Sequence, residues 1–291
     1  MTEAVWRKRK SFALEAAIFL PAALLVAILC SGLLLLFQYS FSSYIPGSLE
    51  VGGFTVSNYS RINDSLYLGS VWETLIICFW VTAVTLVLSY PLAYVIVRSP
   101  SPLVRSTILV LTILPFFLGV VVRSYAWMLV LGNNGFLNRL LISLSIIETP
   151  LQLIFRRTGV ILALIQISLP IMVIMIATGL SHIDRRFERT ALTLGASPLK
   201  AFYHVTWPLS LPGVIAGCIV VFGWTLSAFA TPLMIGGGRV YVMTVMIYDQ
   251  ILGSGNYPFG AALGVFVLMI DLMLLGVGQG LTGFIQRRVG H

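Results

Sequence analysis

Long apolar runs restrict what this chain can fold into more than any other feature. A helix that crosses the hydrocarbon core of a bilayer needs about 20 mostly apolar residues. Six segments qualify, and they are Ala13–Ser43, Ser70–Val97, Val104–Leu131, Thr158–Leu180, Pro212–Ile235 and Phe259–Ile285. Because 58% of the residues are hydrophobic and 10% are charged, the composition excludes a soluble globular domain. The sequence therefore predicts an all-α integral membrane protein with six transmembrane helices.

The basic residues fall mainly on one side of the predicted membrane. Loops that are rich in Lys and Arg stay in the cytoplasm, so we expect both termini to be cytoplasmic. Because the positive charges follow the span ends, the net charge of +8 indicates membrane lipid and not nucleic acid as a partner. Twelve of the eighteen basic residues lie on this side: Arg7, Lys8, Arg9, Lys10, Arg98, Arg105, Arg185, Arg186, Arg189, Lys200, Arg287 and Arg288.

Two long connections lie on the opposite, outer side. Tyr44–Gly69 is rich in Gly and Ser and has room for a short hairpin. Gly132–Arg157 has apolar residues at helical spacing. This pattern fits either an amphipathic helix on the membrane surface or a solvent loop.

A polar segment, Ser181–Pro212, interrupts the apolar pattern on the cytoplasmic side, and we call it the polar loop. Asp184 is a suitable N-cap for a helix that runs to Leu194. Gly195 stands where a left-handed residue commonly ends a helix. The apolar residues of this helix recur at i, i+4 and i+7 and form one stripe of Phe187, Ala191 and Leu194.

A second short helix is predicted in the polar loop. It starts with Ser197 as cap and Pro198 at the first helical position, and it ends near Thr206, before Pro208. The two helices suit a rigid knob that docks on a partner, but they also suit a basic anchor on anionic lipid. The residues by themselves leave both interpretations open.

The polar loop resembles the EAA loop of type I ABC permeases, which is the coupling helix that docks on a cytoplasmic ATPase. The family's leading glutamate aligns with Arg189, whereas Glu188 is one position early. Either Glu188 makes the family's contact in a shifted register, or the ATPase supplies an acid that meets Arg189. The residues in register are Asp184, Ala191, Gly195, Ala196, Ser197, Pro208, Pro212 and Gly213.

Two further segments, Leu114–Leu141 and Ala230–Val265, resemble permeases of the spermidine/putrescine type. The resemblance implies the type I ABC importer permease fold over residues 70–285, preceded by residues 1–69 and followed by a tail at 286–291. It also implies a bacterial inner-membrane subunit that imports a small solute such as a polyamine. The implied partners are a second permease in a heterodimer, two ATPase subunits that hold ATP and Mg, and a periplasmic binding protein. No cofactor is implied on this chain.

Several polar residues in or near the spans are candidates for a substrate pathway. A charge inside a membrane is costly, so it faces the bundle or water. Arg123, with Tyr125 and Trp127 nearby, lines a pathway or snorkels to an outer carboxylate. Asp271 meets a cationic solute or the second permease, and Asp249 meets a cation or a binding protein, or is solvated.

The rival hypothesis is a secondary transporter or channel in which Asp271 and Arg123 form an ion relay. The polar loop distinguishes the two classes, because a secondary transporter needs no docking knob. The sequence contains neither a catalytic constellation nor a metal-ligand spacing, and the Gly236–Gly238 run lacks the Lys and Ser/Thr of a phosphate loop. We therefore expect a subunit that is not itself an enzyme.

Overall fold

A computed structural model describes residues 2–48 and 50–289. These residues form two compact units. One contains the chain up to Asn63 together with Ile247–Phe266, and the other contains Asp64–Met246 together with the chain from Val267. The division into residues 1–69, 70–285 and 286–291 stays a prediction, and positions 290 and 291 of the predicted tail lie outside the described residues.

The first unit begins with a long helix and a small hairpin. The predicted hairpin is present, although it begins at Ser42, two residues before the predicted segment. The Asn58 amide holds the hairpin to the following helix, because its nitrogen donates to the carbonyl oxygens of Ser40 and Ser42 at 3.0 and 2.9 Å. The elements are α1 (Thr2–Ser40), antiparallel strands β1 (Ser42–Tyr44) and β2 (Val51–Phe54), and α2 (Ser57–Arg61).

Three long helices form the core of the second unit. They are α3 (Ser65–Arg98), α7 (Arg157–Ser181) and α10 (Trp207–Leu226). Helix α7 packs against both of the others, and fully buried aliphatic side chains such as Leu164 and Val173 fill the contact. The backbones of α7 and α10 approach closely, since a Cβ on Gly213 would lie 2.9 Å from the Cα of Gly179.

The third predicted span, Val104–Leu131, is wrong as a single helix. The structure has α4 (Pro102–Ile113), a 3₁₀ turn (Leu114–Phe117) and α5 (Val120–Leu131). The two halves are bent by 104°. The chain leaves the helix because Leu118 and Gly119 are extended, with ψ of 133° and 146°, directly after the proline-containing turn.

The amphipathic helix predicted within Gly132–Arg157 is present as α6 (Phe136–Ser143). Beyond α7, the polar loop contains α8 (Arg185–Thr193) and α9 (Pro198–Ala201). The remaining elements are a π-helical turn (Phe202–Thr206) before α10, then α11 (Ala230–Gly236), α12 (Met243–Tyr248), a second π-helical turn (Asp249–Gly253) and α13 (Tyr257–Val289).

The prediction that a helix ends before Pro208 is wrong. The chain is helical without interruption over Pro198–Leu226, which starts earlier than the predicted span Pro212–Ile235. In the π-helical turn the amide of Trp207 donates to the carbonyl of Phe202, and this wider turn accommodates a proline in the next position. The predicted span is also too long at its other end, because the helix stops at Leu226 and α11 is separate.

Five helices within the described residues are long and apolar enough to cross a membrane. The number rises to six when the bent pair around residues 118–119 counts as one span. The structure therefore supports a multi-pass membrane protein. The five are Phe19–Ser40, Ser65–Arg98, Arg157–Ser181, Pro198–Leu226 and Tyr257–Gly280.

The close approach of α7 and α10 predicts different effects for two glycines. Gly213→Ala should lower the melting temperature in detergent, because the new Cβ meets backbone that cannot rotate away, at a cost of about 1–3 kcal/mol. Gly276→Ala is the matched control, since nothing lies within 4 Å of a Cβ at that position. Equal melting temperatures for the two variants would contradict this packing.

Candidate functional site

The first helix of the polar loop has well-formed ends. Asp184 Oδ1 accepts a hydrogen bond from the Arg186 amide at 2.9 Å and caps the N-terminus of α8. Gly195 has φ of +87°, and the amide of Ala196 donates to the carbonyl of Ala191 at 3.0 Å. This is the Schellman arrangement, in which a left-handed residue reverses the chain. The predicted limits of the helix are confirmed.

The second helix begins as expected and then continues into the membrane. Ser197 Oγ accepts from the Lys200 amide at 3.4 Å, and Pro198 occupies the first turn. Pro208 lies in the first turn of α10 and does not end the helix. Any displacement of α9 therefore reaches α10 through continuous helix.

Large apolar side chains of the polar loop face outward. Leu194 is 83% exposed and Phe187 is 58% exposed, whereas Ala191 between them is half-buried. Leu199 and Tyr203 in the second helix are also exposed. Apolar side chains gathered on a charged segment mark a surface that is covered by a partner or a membrane.

An ion pair fixes α8 against the end of α3, and we call it the Arg98–Glu188 clasp. Arg98 Nη2 donates to Glu188 Oε1 at 2.9 Å, and the Thr206 hydroxyl donates to the same oxygen at 2.7 Å. The side chains of Arg98 and Glu188 are 10% and 18% exposed. Arg98 Nη1 also donates to the carbonyl of Ile183 at 3.3 Å. The clasp therefore joins α3, α8 and the π-helical turn that leads into α10.

The clasp explains the role of Glu188, which stands one position early in the motif. Glu188 is turned inward and its carboxylate is occupied, whereas the next residue, Arg189, is exposed. Consecutive residues of a helix point about 100° apart, so a shift of one position moves a side chain from the inner face of α8 to its exposed flank. The outer surface of α8 thus presents Arg189, and no acidic partner for it is found among the described residues.

Sequence reasoning missed two members of the clasp, Arg98 and Thr206. In the sequence, Arg98 indicates only the cytoplasmic side of the membrane, and it stands 90 positions before Glu188. The residues around Arg98 and those around Glu188 contain no pattern that predicts a contact between the two. One sequence feature points to the contact. Glu188 lies one position away from the place of the acid in the motif, and the basic residue Arg98 directly follows the second predicted span.

The polar residues of the third span divide between the inside and the outside. Arg123 is 5% exposed and its Nη1 donates to the carbonyl of Pro115 at 3.2 Å, across the break between the two half-helices. It lines a cavity of about 190 Å³ together with Trp224 and Thr231. Trp127 donates to Gln166 Oε1 at 3.1 Å. Tyr125 is 58% exposed and does not join them.

The two acids predicted for a pathway lie in different units. Asp271 is half-buried on α13 and faces α10, since its Oδ1 would lie 3.1 Å from a Cβ on Gly223. Asp249 is half-buried in the second π-helical turn, in the unit that contains Ile247–Phe266. Their roles stay predictions.

Known proteins with similar sequences are transport proteins. Residues 85–291 match the family described as binding-protein-dependent transport system inner membrane component. The spermidine/putrescine transport system permease protein PotB of Escherichia coli K12 is 34% identical over 223 residues, which cover 76% of this chain and 81% of that protein. PotB of Haemophilus influenzae is 29% identical over 256 residues, which cover 88% of this chain and 89% of that protein.

A solved structure shares the fold. It is a bacterial alginate ABC transporter in complex with an alginate pentasaccharide-bound periplasmic protein. One of its chains superposes with a TM-score of 0.76 at 18% identity and covers 99% of this chain and 98% of that chain. The likeness confirms the predicted helical fold of an ABC importer permease.

The geometry of the clasp predicts how it contributes to stability. Glu188→Ala removes one partner of a mostly buried pair and leaves the Arg98 charge uncompensated, at a cost on the order of 3 kcal/mol. The melting temperature in detergent should fall by several degrees. Arg98→Leu together with Glu188→Leu, which removes both charges, should recover most of the loss, because no buried charge is left without a partner.

A second ion pair in the same loop provides the control. Arg186 and Asp184 are 3.9 Å apart with side chains 89% and 56% exposed, and such pairs contribute about 0–1 kcal/mol. Arg186→Ala should therefore leave the melting temperature nearly unchanged. A melting temperature of Glu188→Ala that equals that of Arg186→Ala would show that the clasp does not hold α8.

Proposed function

Because this chain belongs to the family of binding-protein-dependent transport system inner membrane components, we propose that its polar loop is the surface on which an ATPase subunit docks. The chain is a multi-pass inner-membrane protein and a permease subunit of an ATP-driven importer. It is not itself an enzyme. The relatives favour this function over a stand-alone secondary transporter.

The docking proposal rests on one observation. Helix α8 exposes an apolar face although it is held firmly against the bundle. Phe187 and Leu194 project from a helix with both ends capped, and the Arg98–Glu188 clasp fastens that helix to the bundle. A membrane anchor needs apolar side chains but has no need of a fixed attachment. A docking knob needs both, because a loose knob would move without moving the bundle.

The clasp gives the polar loop a mechanical role in transport. When the ATPase subunits close on ATP, they displace α8 and α9 with them. The clasp passes this displacement to α3, and the continuous helix Pro198–Leu226 passes it to α10. Since α3, α7 and α10 pack together, the bundle changes between outward-facing and inward-facing states as one body.

Arg189 is the residue of α8 that we assign to a polar contact with the ATPase. It is exposed beside the apolar face, whereas Glu188 is occupied in the clasp. An arginine on a docking surface is best met by a carboxylate, with which it forms two parallel hydrogen bonds. The ATPase therefore presents an acidic side chain to this position.

The complete importer contains further chains. The family is dependent on a binding protein, and the solved alginate transporter is in complex with a periplasmic protein. We assign to this chain a second permease as heterodimer partner, two ATPase subunits and a periplasmic binding protein. ATP and Mg are held by the ATPase, and this chain binds no cofactor.

The proposed solute is a polyamine or a related small cation. Two PotB proteins, named for spermidine and putrescine, are similar over most of the chain. Asp271 adds a half-buried carboxylate within a span, which attracts a cation. Uptake of labelled spermidine by Asp271→Asn should fall roughly tenfold, as for loss of a charged hydrogen bond. Unchanged uptake would remove Asp271 from the pathway.

The turn at Gly195 provides a test of coupling. Gly195→Val places a β-branched residue at a left-handed position, which costs about 1–2 kcal/mol and changes the angle between α8 and α9. ATP hydrolysis should continue while solute uptake falls severalfold. Gly47→Val is the matched control, because Gly47 also has a positive φ, of 77°, and lies outside the polar loop. Wild-type coupling in Gly195→Val would contradict the docking role.

Purification of the tagged chain from its native membrane in mild detergent tests the function directly. Mass spectrometry should find a cytoplasmic ATPase, a second permease and a binding protein, and the last should bind spermidine in calorimetry. A chain that purifies alone, from cells without ATP-dependent uptake, would overturn the proposed function. A binding protein that ignores spermidine would overturn only the proposed solute.

A further inference from the structure

A large cleft lies at the end of the second unit that is opposite to the polar loop. Its volume is about 1220 Å³, and its walls come from the first turns of α3, the segment before α7 and the loop after α11. Helix α3 has 34 residues and is therefore roughly 50 Å long, with the cleft at its first residue and the clasp at its last. The two sites thus belong to opposite faces of the membrane.

The cleft carries a surplus of positive charge. Its lining includes Arg156, Arg157 and Arg239, but only one acid, Glu73. Arg157 neutralises that acid with two hydrogen bonds, of which the one from Nε is 2.6 Å long. Within residues 2–48 and 50–289, the Arg156 guanidinium donates to the neutral side chain of Gln152, at 3.1 Å, and to no acid. Two exposed guanidinium groups therefore lack an acidic partner among the described residues.

These guanidinium groups lie on two segments, one before α7 and one after α11, that meet at Phe155. Phe155 has φ of +61°, a conformation that is costly for a bulky residue and persists only when its surroundings enforce it. Its amide donates to the carbonyl of Ile235 at 2.9 Å, and its ring lies against Gly237, where a Cβ would come within 2.2 Å. The Arg239 guanidinium stacks 5.7 Å from the same ring. Phe155 thus joins the two segments and places Arg156 and Arg239 in the same cleft.

We propose that this arginine cleft is the docking site for carboxylate side chains of the periplasmic binding protein. The proposal rests on the proposed function, which places the polar loop on the ATPase side and the cleft outside. The positive charge of the cleft favours an acidic protein segment over a cationic solute as its occupant. A cationic solute is repelled by a surplus of guanidinium groups, whereas aspartate and glutamate on a protruding segment form the bidentate pairs that arginine favours. The cleft is also larger than the roughly 300–1,000 Å³ of most small-molecule pockets.

A binding titration tests the arginine cleft. The assembled transporter in lipid nanodiscs is titrated with the binding protein that co-purifies with it. Arg156→Glu with Arg239→Glu should raise the Kd about tenfold and reduce its dependence on salt, because charge complementarity is replaced by repulsion. Arg239→Gln, a milder change, should raise the Kd roughly threefold. Arg139→Glu is the matched control on the same face, since Arg139 is exposed on α6 and outside the cleft.

Each result has a definite meaning. A raised Kd in both cleft variants and an unchanged Kd in Arg139→Glu support the arginine cleft. Wild-type affinity in the cleft variants would overturn it and leave the importer function intact. Loss of the second permease from the purified variant would also overturn it, because the cleft would then be an interface between permeases. If the ATPase and the second permease co-purify with wild type but a binding protein does not, the arginine cleft has no such occupant and the proposal is overturned. The proposed function fails only if the chain purifies alone, from cells without ATP-dependent uptake.

Discussion

The ion pair between Arg98 and Glu188 is the contact on which the connection between the polar loop and the membrane bundle depends. Beside it, the Arg185 guanidinium of α8 donates a hydrogen bond to the carbonyl of Val97 in α3, but this bond carries no compensating charge. Through the ion pair, the last turn of α3, the middle of α8 and the turn that leads into α10 share one oxygen of Glu188. Because both side chains are largely shielded from water, the pair resists screening by salt and holds one geometry. Glu188, which stands one position early in the motif, therefore attaches α8 to the bundle.

Helix α3 relates the two faces of the second unit. Its last residue, Arg98, belongs to the clasp, and its first turns form one wall of the arginine cleft. This 34-residue helix is continuous through Pro91 and packs along α7 and α10. In the proposed importer it therefore connects the face that we assign to the binding protein with the face that we assign to the ATPase.

Local features of the fold were predictable from sequence, and long-range ones were not. Asp184, Gly195 and Ser197 act on backbone within a few residues of themselves, so their spacing predicts the caps and the turn. Hydropathy predicts which segments enter the membrane, because it depends on composition alone. Hydropathy does not predict the 104° bend after Phe117 or the helix that continues through Pro208. Both depend on backbone geometry at a few residues. The clasp and the hydrogen bond of Arg123 across the bend arise only when distant elements meet.

Site-directed photo-crosslinking from the exposed tip of the polar loop tests whether this loop docks on the ATPase. A benzophenone amino acid replaces Leu194, which is 83% exposed, in the complete transporter purified from its native membrane. We expect an adduct with the ATPase subunit from this position. We expect none from the same probe at Tyr241, which borders the arginine cleft. A transporter that imports its solute on ATP but gives no ATPase adduct from position 194 would contradict the docking role of the polar loop.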